Sequence, residues 1–145
     1  MGTILVVYYS DTGNTKKMAE LVAEGAAEGK KHAVKAVLVT ELDMNEFTAA
    51  NGYAFGSPDY YTYMAGQMKT FFDRALGQVK KVKGKPFVSF VSHGGGGGAI
   101  DSLDRLGKAI GLTPAADGVK SLGAPSKQSA DACRDLGKKL ADATP

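Results

Sequence analysis

A six-residue polar loop stands between an apolar run and a helical pattern, and no other stretch of the chain restricts the fold as much. The run before it, residues 3–9, is rich in Val, Ile and Tyr, and the helical pattern after it covers residues 16–28. The loop consists of Ser10, Asp11, Thr12, Gly13, Asn14 and Thr15. A strand, a short polar loop with one glycine and a helix make up the first βα unit of an α/β domain. The sequence therefore predicts an α/β fold that starts with this unit.

The groups in this loop are suited to binding a phosphate. It carries three hydroxyl groups, on Ser10, Thr12 and Thr15, and the amide of Asn14. Its backbone N–H groups lie where a helix begins, and the helix dipole adds partial positive charge there. Because a helix cap needs only one hydroxyl group, capping by Ser10 or Thr12 explains less of the loop than phosphate binding does. The loop lacks the second glycine and the Lys-Ser/Thr pair of a Walker A motif.

The rest of the chain alternates between predicted strands and helices. Further strands are predicted at residues 33–39, 52–56 and 87–92, and a last strand lies within residues 115–122. Helical patterns follow these strands, and the final helix is expected to start at a Ser126 cap. Strands that alternate with helices form a parallel sheet covered on both faces.

The segment Ser-Asp-Thr-Gly-Asn-Thr at residues 10–15 resembles the phosphate loop of flavodoxins, which bind FMN. The resemblance extends to Gly56, Ser57 and Pro58 and to residues 64–73, which look most similar to flavodoxin-like NAD(P)H:quinone oxidoreductases. It implies a flavodoxin-like three-layer sandwich, with a five-stranded parallel sheet of order 2-1-3-4-5 and helices on both faces. In that order the loops after strands 1, 3 and 4 meet at one crevice. We expect residues 1–145 to form a single FMN-binding domain.

The loop after the third strand carries several aromatic side chains. Tyr60, Tyr61 and Tyr63 follow Ser57, Pro58 and Asp59 on a segment without helical or strand periodicity. Exposed aromatic rings cost solubility unless they cover something, and a flat flavin ring is a suitable partner. The alternative is that one tyrosine packs down on the loop. No glycine occurs between Ser57 and Ala65, so a left-handed residue here would cost about 1 kcal/mol or more.

The loop after the fourth strand contains Ser92, His93 and a run of glycines that starts with Gly94 and Gly95. Glycines allow the backbone to approach a ligand closely, and the resemblance places this loop against the flavin pyrimidine edge. A flexible turn is the alternative for the glycine run. His93 is expected either to contact the ring and sense pH near neutrality or to be solvated.

The resemblance implies an FMN protein that passes single electrons between redox partner proteins, with no catalytic side chain on a substrate. We expect a monomer whose partners dock at the acidic, flavin-exposed end of the sheet. One alternative is an FMN-dependent NAD(P)H:quinone oxidoreductase, and another is a redox-inactive FMN-binding protein. A distant alternative is a phosphorylation receiver domain, because Asp11, Asp59, Ser92 and Lys120 weakly match its pattern.

Charge and cysteine content narrow the class of protein further. The 145 residues carry a net charge of +3, with lysines expected behind the sheet and carboxylates near the ligand end. The basic clusters lack interleaved aromatic residues, so we expect no nucleic-acid partner. The single Cys133, the lack of a long apolar segment and the absence of a signal-like N-terminus favour a cytoplasmic protein without a membrane association.

Overall fold

The computed structural model describes residues 2–145, which form six strands and six α-helices with a central parallel sheet. In chain order these are β1 (Gly2–Tyr8), α1 (Asn14–Ala27), β2 (His32–Leu38), α2 (Met44–Ala49), β3 (Gly52–Pro58), α3 (Gly66–Ala75), α4 (Val79–Val82), β4 (Pro86–His93), α5 (Ala99–Ala109), β5 (Thr113–Pro114), β6 (Val119–Leu122) and α6 (Lys127–Ala143). Two 3-10 turns cover Val39–Glu41 and Leu76–Gln78.

The strands are hydrogen-bonded in the order β2-β1-β3-β4-β5, and all pairs are parallel. The central β1 pairs with β2 and β3 on its two sides, with Val6 opposite Ala36 and Ala54. This confirms the predicted flavodoxin-like sheet. The predicted fifth strand is divided, because β5 pairs with the start of β4 and β6 pairs with its end.

Alternating residues of the buried strands supply a core on each face of the sheet. Leu5 and Val7 of β1 join the aromatic core beneath α2, α3 and α5, which includes Phe55 and Phe71. Ile4 and Val6 point to the other face, where α1 and α6 cover the sheet. The central strands β1, β3 and β4 are buried along most of their length because both faces of the sheet are covered there. Cys133 lies in this second core, and burial raises the pKa of its thiol to about 11.

The ends of several elements differ from the prediction by a few residues. Helix α1 begins at Asn14 rather than near Lys16, because Gly13 takes a left-handed conformation (φ 101°) that turns the chain directly into the helix. Strand β3 continues to Pro58, two residues beyond its predicted end. The expected cap of α6 is confirmed, since the Ser126 hydroxyl accepts from the backbone N–H of Ser129 at 3.2 Å.

Among residues 2–145, no helix combines the length and the hydrophobicity that crossing a bilayer requires.

Candidate functional site at the carboxyl edge of the sheet

Three loops meet where β1, β3 and β4 end. The N–H of Tyr9 donates to the carbonyl of Gly56 at 3.1 Å, which joins the ends of β1 and β3. The N–H of Asp59 donates to the carbonyl of Ser92 at 2.9 Å, which joins the ends of β3 and β4. The fold therefore brings together the three loops that the sequence singles out.

In the 10–15 loop, Ser10 organises the start of α1. Its hydroxyl oxygen accepts from the N–H groups of Gly13 and Lys16, both at 3.2 Å. Ser10 thus has a capping role, as the alternative interpretation of the loop held. The N–H groups of Asn14 and Thr15 lack an acceptor among residues 2–145, and they lie at the positive end of the helix dipole. The cap leaves these two donors open to an anion.

The hydroxyl group of Thr15 is turned inward. Thr15 is only 1% exposed, and its hydroxyl lies 2.7 Å from that of Ser92, which is also buried. These two predicted site residues therefore fasten the 10–15 loop to the end of β4. The side chains that remain exposed on the loop are those of Asp11 and Thr12.

The aromatic segment after β3 forms a tight hairpin, here called the tyrosine hairpin, made of Tyr60, Tyr61, Thr62 and Tyr63. Tyr60 and Tyr63 exchange backbone hydrogen bonds of 2.9 and 3.1 Å. Tyr61 and Thr62 between them both have positive φ, 56° and 65°. Positive φ at both central residues is typical of a type I′ turn, which normally contains Asn and Gly. The hairpin thus adopts a left-handed backbone despite the absence of glycine.

The tyrosines of the hairpin differ strongly in exposure. Tyr61 at the tip is 98% exposed and Tyr60 is 41% exposed, whereas Tyr63 is half-buried against the core. Partial burial and, secondarily, the Asp11 carboxylate raise the pKa of Tyr60. One tyrosine therefore packs inward, and two present ring surface at the edge of the site.

The residues at the start of this segment are engaged within the protein. The Ser57 hydroxyl is fully buried, donates to the carbonyl of Pro58 and accepts from the N–H of Ala65, both at 2.8 Å. The Asp59 carboxylate accepts from the N–H of Ala99 at 2.9 Å. It therefore points towards the first turn of α5.

The glycine loop, residues 94–98, connects β4 to α5. Gly94 and Gly95 are exposed, and a side chain on either would meet no atom within 4 Å. His93 is half-buried, and its Nδ1 atom is buried without a hydrogen-bond partner in the described chain. Lys120 of β6 reaches the carbonyl of Gly96 at 3.4 Å. The loop thus presents open backbone and one unsatisfied ring nitrogen.

The charge at this end of the molecule is mixed. Carboxylates follow the strands as expected, but Lys16 and Lys17 stand at the start of α1 and Lys120 lies beside the glycine loop. The predicted acidic character of the ligand end therefore stays a prediction. Helix α1 begins beside the site, so the lysines in its first turn share the edge with the carboxylates.

Sequence reasoning missed Ser102 and Ala99 of α5, both of which contact the segment after β3. Ser102 is 2% exposed and accepts from the N–H of Met64 at 3.1 Å. A serine on the inward face of an apolar helix is the signal that could have identified it. Within residues 2–145 no cluster of three or more metal-ligand side chains occurs.

Comparison with known proteins agrees with this geometry. The family model for flavodoxin matches residues 6–137. A flavodoxin from Aquifex aeolicus is 37% identical over an alignment of 163 positions, which spans 98% of this chain and 86% of that protein. An NAD(P)H dehydrogenase (quinone) from Archaeoglobus fulgidus is 31% identical over an alignment of 185 positions, which covers 98% of this chain and 97% of that protein.

The solved structures give the same result. A flavodoxin from the domain Archaea superposes with a TM-score of 0.87 at 29% identity, over 97% of this chain and 96% of that one. Flavodoxins bind FMN and act as electron carriers between redox partner proteins. On its sequence, its sheet order and the three loops at the carboxyl edge, the chain belongs to the flavodoxin family.

Proposed function

We propose that residues 1–145 form a single domain that binds FMN at the carboxyl edge of the sheet and passes single electrons between partner proteins. The observation that carries the proposal is the juxtaposition of two open N–H groups at the start of α1 with exposed tyrosine rings and an open glycine loop. The open N–H groups suit the phosphate of FMN, the tyrosine rings suit its flat ring system, and the open glycine backbone suits the polar edge of that ring system.

The 10–15 loop fits the phosphate of FMN. The N–H groups of Asn14 and Thr15 supply two donors, and the exposed hydroxyl of Thr12 supplies a third. Asp11 is the carboxylate of this loop and lies at its exposed side. We assign Ser10 and Gly13 the role of holding the loop in its binding conformation.

The tyrosine hairpin and the glycine loop fit the ring system. Tyr60 and Tyr61 offer aromatic surface for stacking, while Tyr63 supports the hairpin from the core side. Pro58 and the buried Ser57 set the direction of the chain as it enters the hairpin. His93 and the backbone of Gly94 and Gly95 are suited to the polar ring edge, where the unpaired Nδ1 atom of His93 would gain a partner.

When bound, FMN supplies the redox chemistry through one- and two-electron reduction of its ring. The chain binds it, orients it and leaves one ring edge accessible, and no side chain acts as an acid or base on a substrate. We propose that partner proteins dock at this flavin-exposed end. A monomeric, cytoplasmic protein that acts without nucleic acid or membrane is part of the same proposal, supported by the buried, lone Cys133.

A titration with two ligands tests the proposal. The purified protein is expected to retain the two visible absorption bands of a flavin after addition of FMN and desalting. Thr12→Ala is expected to weaken FMN binding by about tenfold, because a hydrogen bond to a charged phosphate is lost. Riboflavin binding should be unchanged, since riboflavin has no phosphate.

The matched control is Thr113→Ala, which removes an equally exposed hydroxyl from β5 at the opposite end of the sheet. It should leave both affinities unchanged. Failure of the wild-type protein to retain FMN at excess ligand would overturn the proposed function.

A second candidate function is FMN-dependent NAD(P)H:quinone oxidoreduction. It is favoured by the relative from Archaeoglobus fulgidus, whose name carries that activity and which aligns over nearly its full length. The discriminating measurement is steady-state oxidation of NADH with benzoquinone as acceptor. NADH oxidation that depends on bound FMN would support the oxidoreductase function. Absence of NADH oxidation would favour the function as an electron carrier.

A further inference from the structure

We propose that Asp59 and Ser102 are positioning residues, which clamp the tyrosine hairpin onto the first turn of α5. This inference rests on the proposed function, in which the hairpin covers the flavin ring. Neither residue needs to touch the cofactor. Their role is to fix where Tyr60 and Tyr61 stand relative to the glycine loop.

The first half of the clamp holds the start of the hairpin. The Oδ1 atom of Asp59 accepts from the N–H of Ala99, the first residue of α5, at 2.9 Å. A carboxylate at this position is further stabilised by the positive end of the helix dipole. Because the N–H of Asp59 also donates to the carbonyl of Ser92, the start of the hairpin is tied to both β4 and α5.

The second half holds the end of the hairpin. The N–H of Met64, next to Tyr63, donates to the Ser102 hydroxyl at 3.1 Å. That hydroxyl donates to the carbonyl of Ala99 at 2.7 Å. The Ser102 hydroxyl thus donates within its own helix and accepts from the segment after β3. Both ends of the hairpin are therefore joined to the same turn of α5.

The middle of the hairpin packs on the residue that ends the glycine loop. A Cβ atom built on Gly98 would lie 3.1 Å from the Cβ of Thr62, which is closer than ordinary packing. Thr62 and Tyr61 are both left-handed, and such strain persists only where surrounding contacts hold the backbone in place. The contacts from α5 and from Gly98 hold this backbone in place and join the hairpin to the glycine loop.

The experiment compares two substitutions of one residue. Asp59→Ala removes the acceptor for the N–H of Ala99. It is expected to weaken the binding of FMN and the binding of riboflavin by the same factor, about tenfold. Equal weakening is expected because the ring, common to both ligands, loses its support while the phosphate contacts stay. Asp59→Asn keeps an acceptor oxygen and removes the charge, so both affinities should remain within about threefold of wild type. Dissociation constants are measured by flavin fluorescence on protein shown by circular dichroism to be folded.

Asp101→Asn is the matched control. Asp101 is exposed in the same first turn of α5, and its carboxylate makes no hydrogen bond to the hairpin or the glycine loop, although its backbone N–H donates to the carbonyl of Gly98. Its neutralisation changes the charge at the helix start by the same amount as Asp59→Asn. Both flavin affinities should be unaffected.

A second variant keeps the proposal testable if Asp59→Ala does not fold. Gly98→Ala adds a methyl group against Thr62 and removes none of the donor or acceptor groups of the clamp. Gly98 has φ −63°, so alanine is accommodated by its backbone. Both flavins should bind at least about threefold more weakly, because displacement of the hairpin costs ring contacts.

Three results would overturn the clamp. The first is an Asp59→Ala protein that is folded and binds both flavins with wild-type affinity. The second is an Asp59→Asn protein that binds the flavins as weakly as Asp59→Ala does. The third is a Gly98→Ala protein whose flavin affinities equal those of the wild type. Any of them, with a wild-type protein that still binds FMN, rejects the clamp and leaves the proposed function standing. A wild-type protein that binds neither flavin rejects the proposed function itself.

Discussion

At the scale of single residues, Asp104 offers a pH-dependent test of the fold. Asp104 of α5 is half-buried and accepts from the Ser89 hydroxyl at 2.8 Å. Burial is the main cause that raises the pKa of its carboxyl group, and the Ser89 hydrogen bond partly offsets it. The folded protein therefore binds this proton more tightly than the unfolded chain. Stability is lost as the pH rises from about 3.8, the unfolded value, through the raised folded value.

The buried carboxylate is the form that the fold disfavours, so Asp104→Asn should stabilise the protein at pH 7 while keeping the acceptor for Ser89. The gain in the free energy of unfolding, measured by urea denaturation, should shrink as the pH falls towards 4. Asp101→Asn on the exposed side of the same helix should give a much smaller change, because its carboxylate is solvated and favourable at the helix start, and its repulsion of Asp104 is a minor cause of the raised pKa of that group. A gain from Asp104→Asn that is equal at both pH values would contradict this account.

At the scale of elements, the contact between α1 and α6 depends on two glycines. A Cβ atom on Gly25 would collide with the carbonyl of Arg134, and one on Gly137 would collide with the backbone of Val22 and Ala26. Because backbone atoms cannot move aside as flexible side chains do, Gly137→Ala should destabilise the protein by about 1–3 kcal/mol. This loss should exceed the gain of up to about 1 kcal/mol in helix propensity.

Gly77→Ala is the control for this prediction, since a Cβ atom there meets nothing within 4 Å. Its free energy of unfolding should stay within about 0.5 kcal/mol of wild type. Equal stability of the two variants would show that the helices separate without cost. The inward position of both Gly25 and Gly137 is readable from the helical pattern, but their mutual contact is a property of the packed fold.

At the scale of the whole molecule, the charge at the far end of the sheet should not reach the flavin. Lys80, Lys81 and Lys83 are exposed and make no ion pair within residues 2–145. They precede β4, whereas the site follows it. Strand β4 has eight residues and spans about 23 Å at a rise of about 3.3 Å per residue. That distance exceeds the screening length of about 10 Å in 0.1 M salt.

Changing all three lysines to glutamate should therefore leave the oxidation rate of the reduced protein by ferricyanide within about twofold at 0.1 M salt. Lys120→Glu, beside the glycine loop, should slow this reaction several-fold, because it places a negative charge where the anionic oxidant approaches. At about 0.01 M salt the triple variant should also become slower, since the screening length rises to about 30 Å. A large effect of the triple variant at 0.1 M salt would show that the flavin is not confined to the carboxyl edge.

The sequence by itself determined the features that depend on neighbours in the chain. The apolar run before Ser10, the helical stripes and the Ser126 cap each reflect interactions within a few residues, and the structure confirms them. The parallel sheet and its flavodoxin-like order follow from that alternation together with the family resemblance.

Only the tertiary structure decided how the three loops are joined. The hydroxyl contact between Thr15 and Ser92 links residues 77 positions apart, and the Asp59–Ala99 hydrogen bond links residues 40 positions apart. It also decided that Tyr61 and Thr62 take the left-handed backbone that their own preferences oppose. Local preferences differ by about 1 kcal/mol, which a few contacts between distant segments outweigh once the sheet holds those segments together.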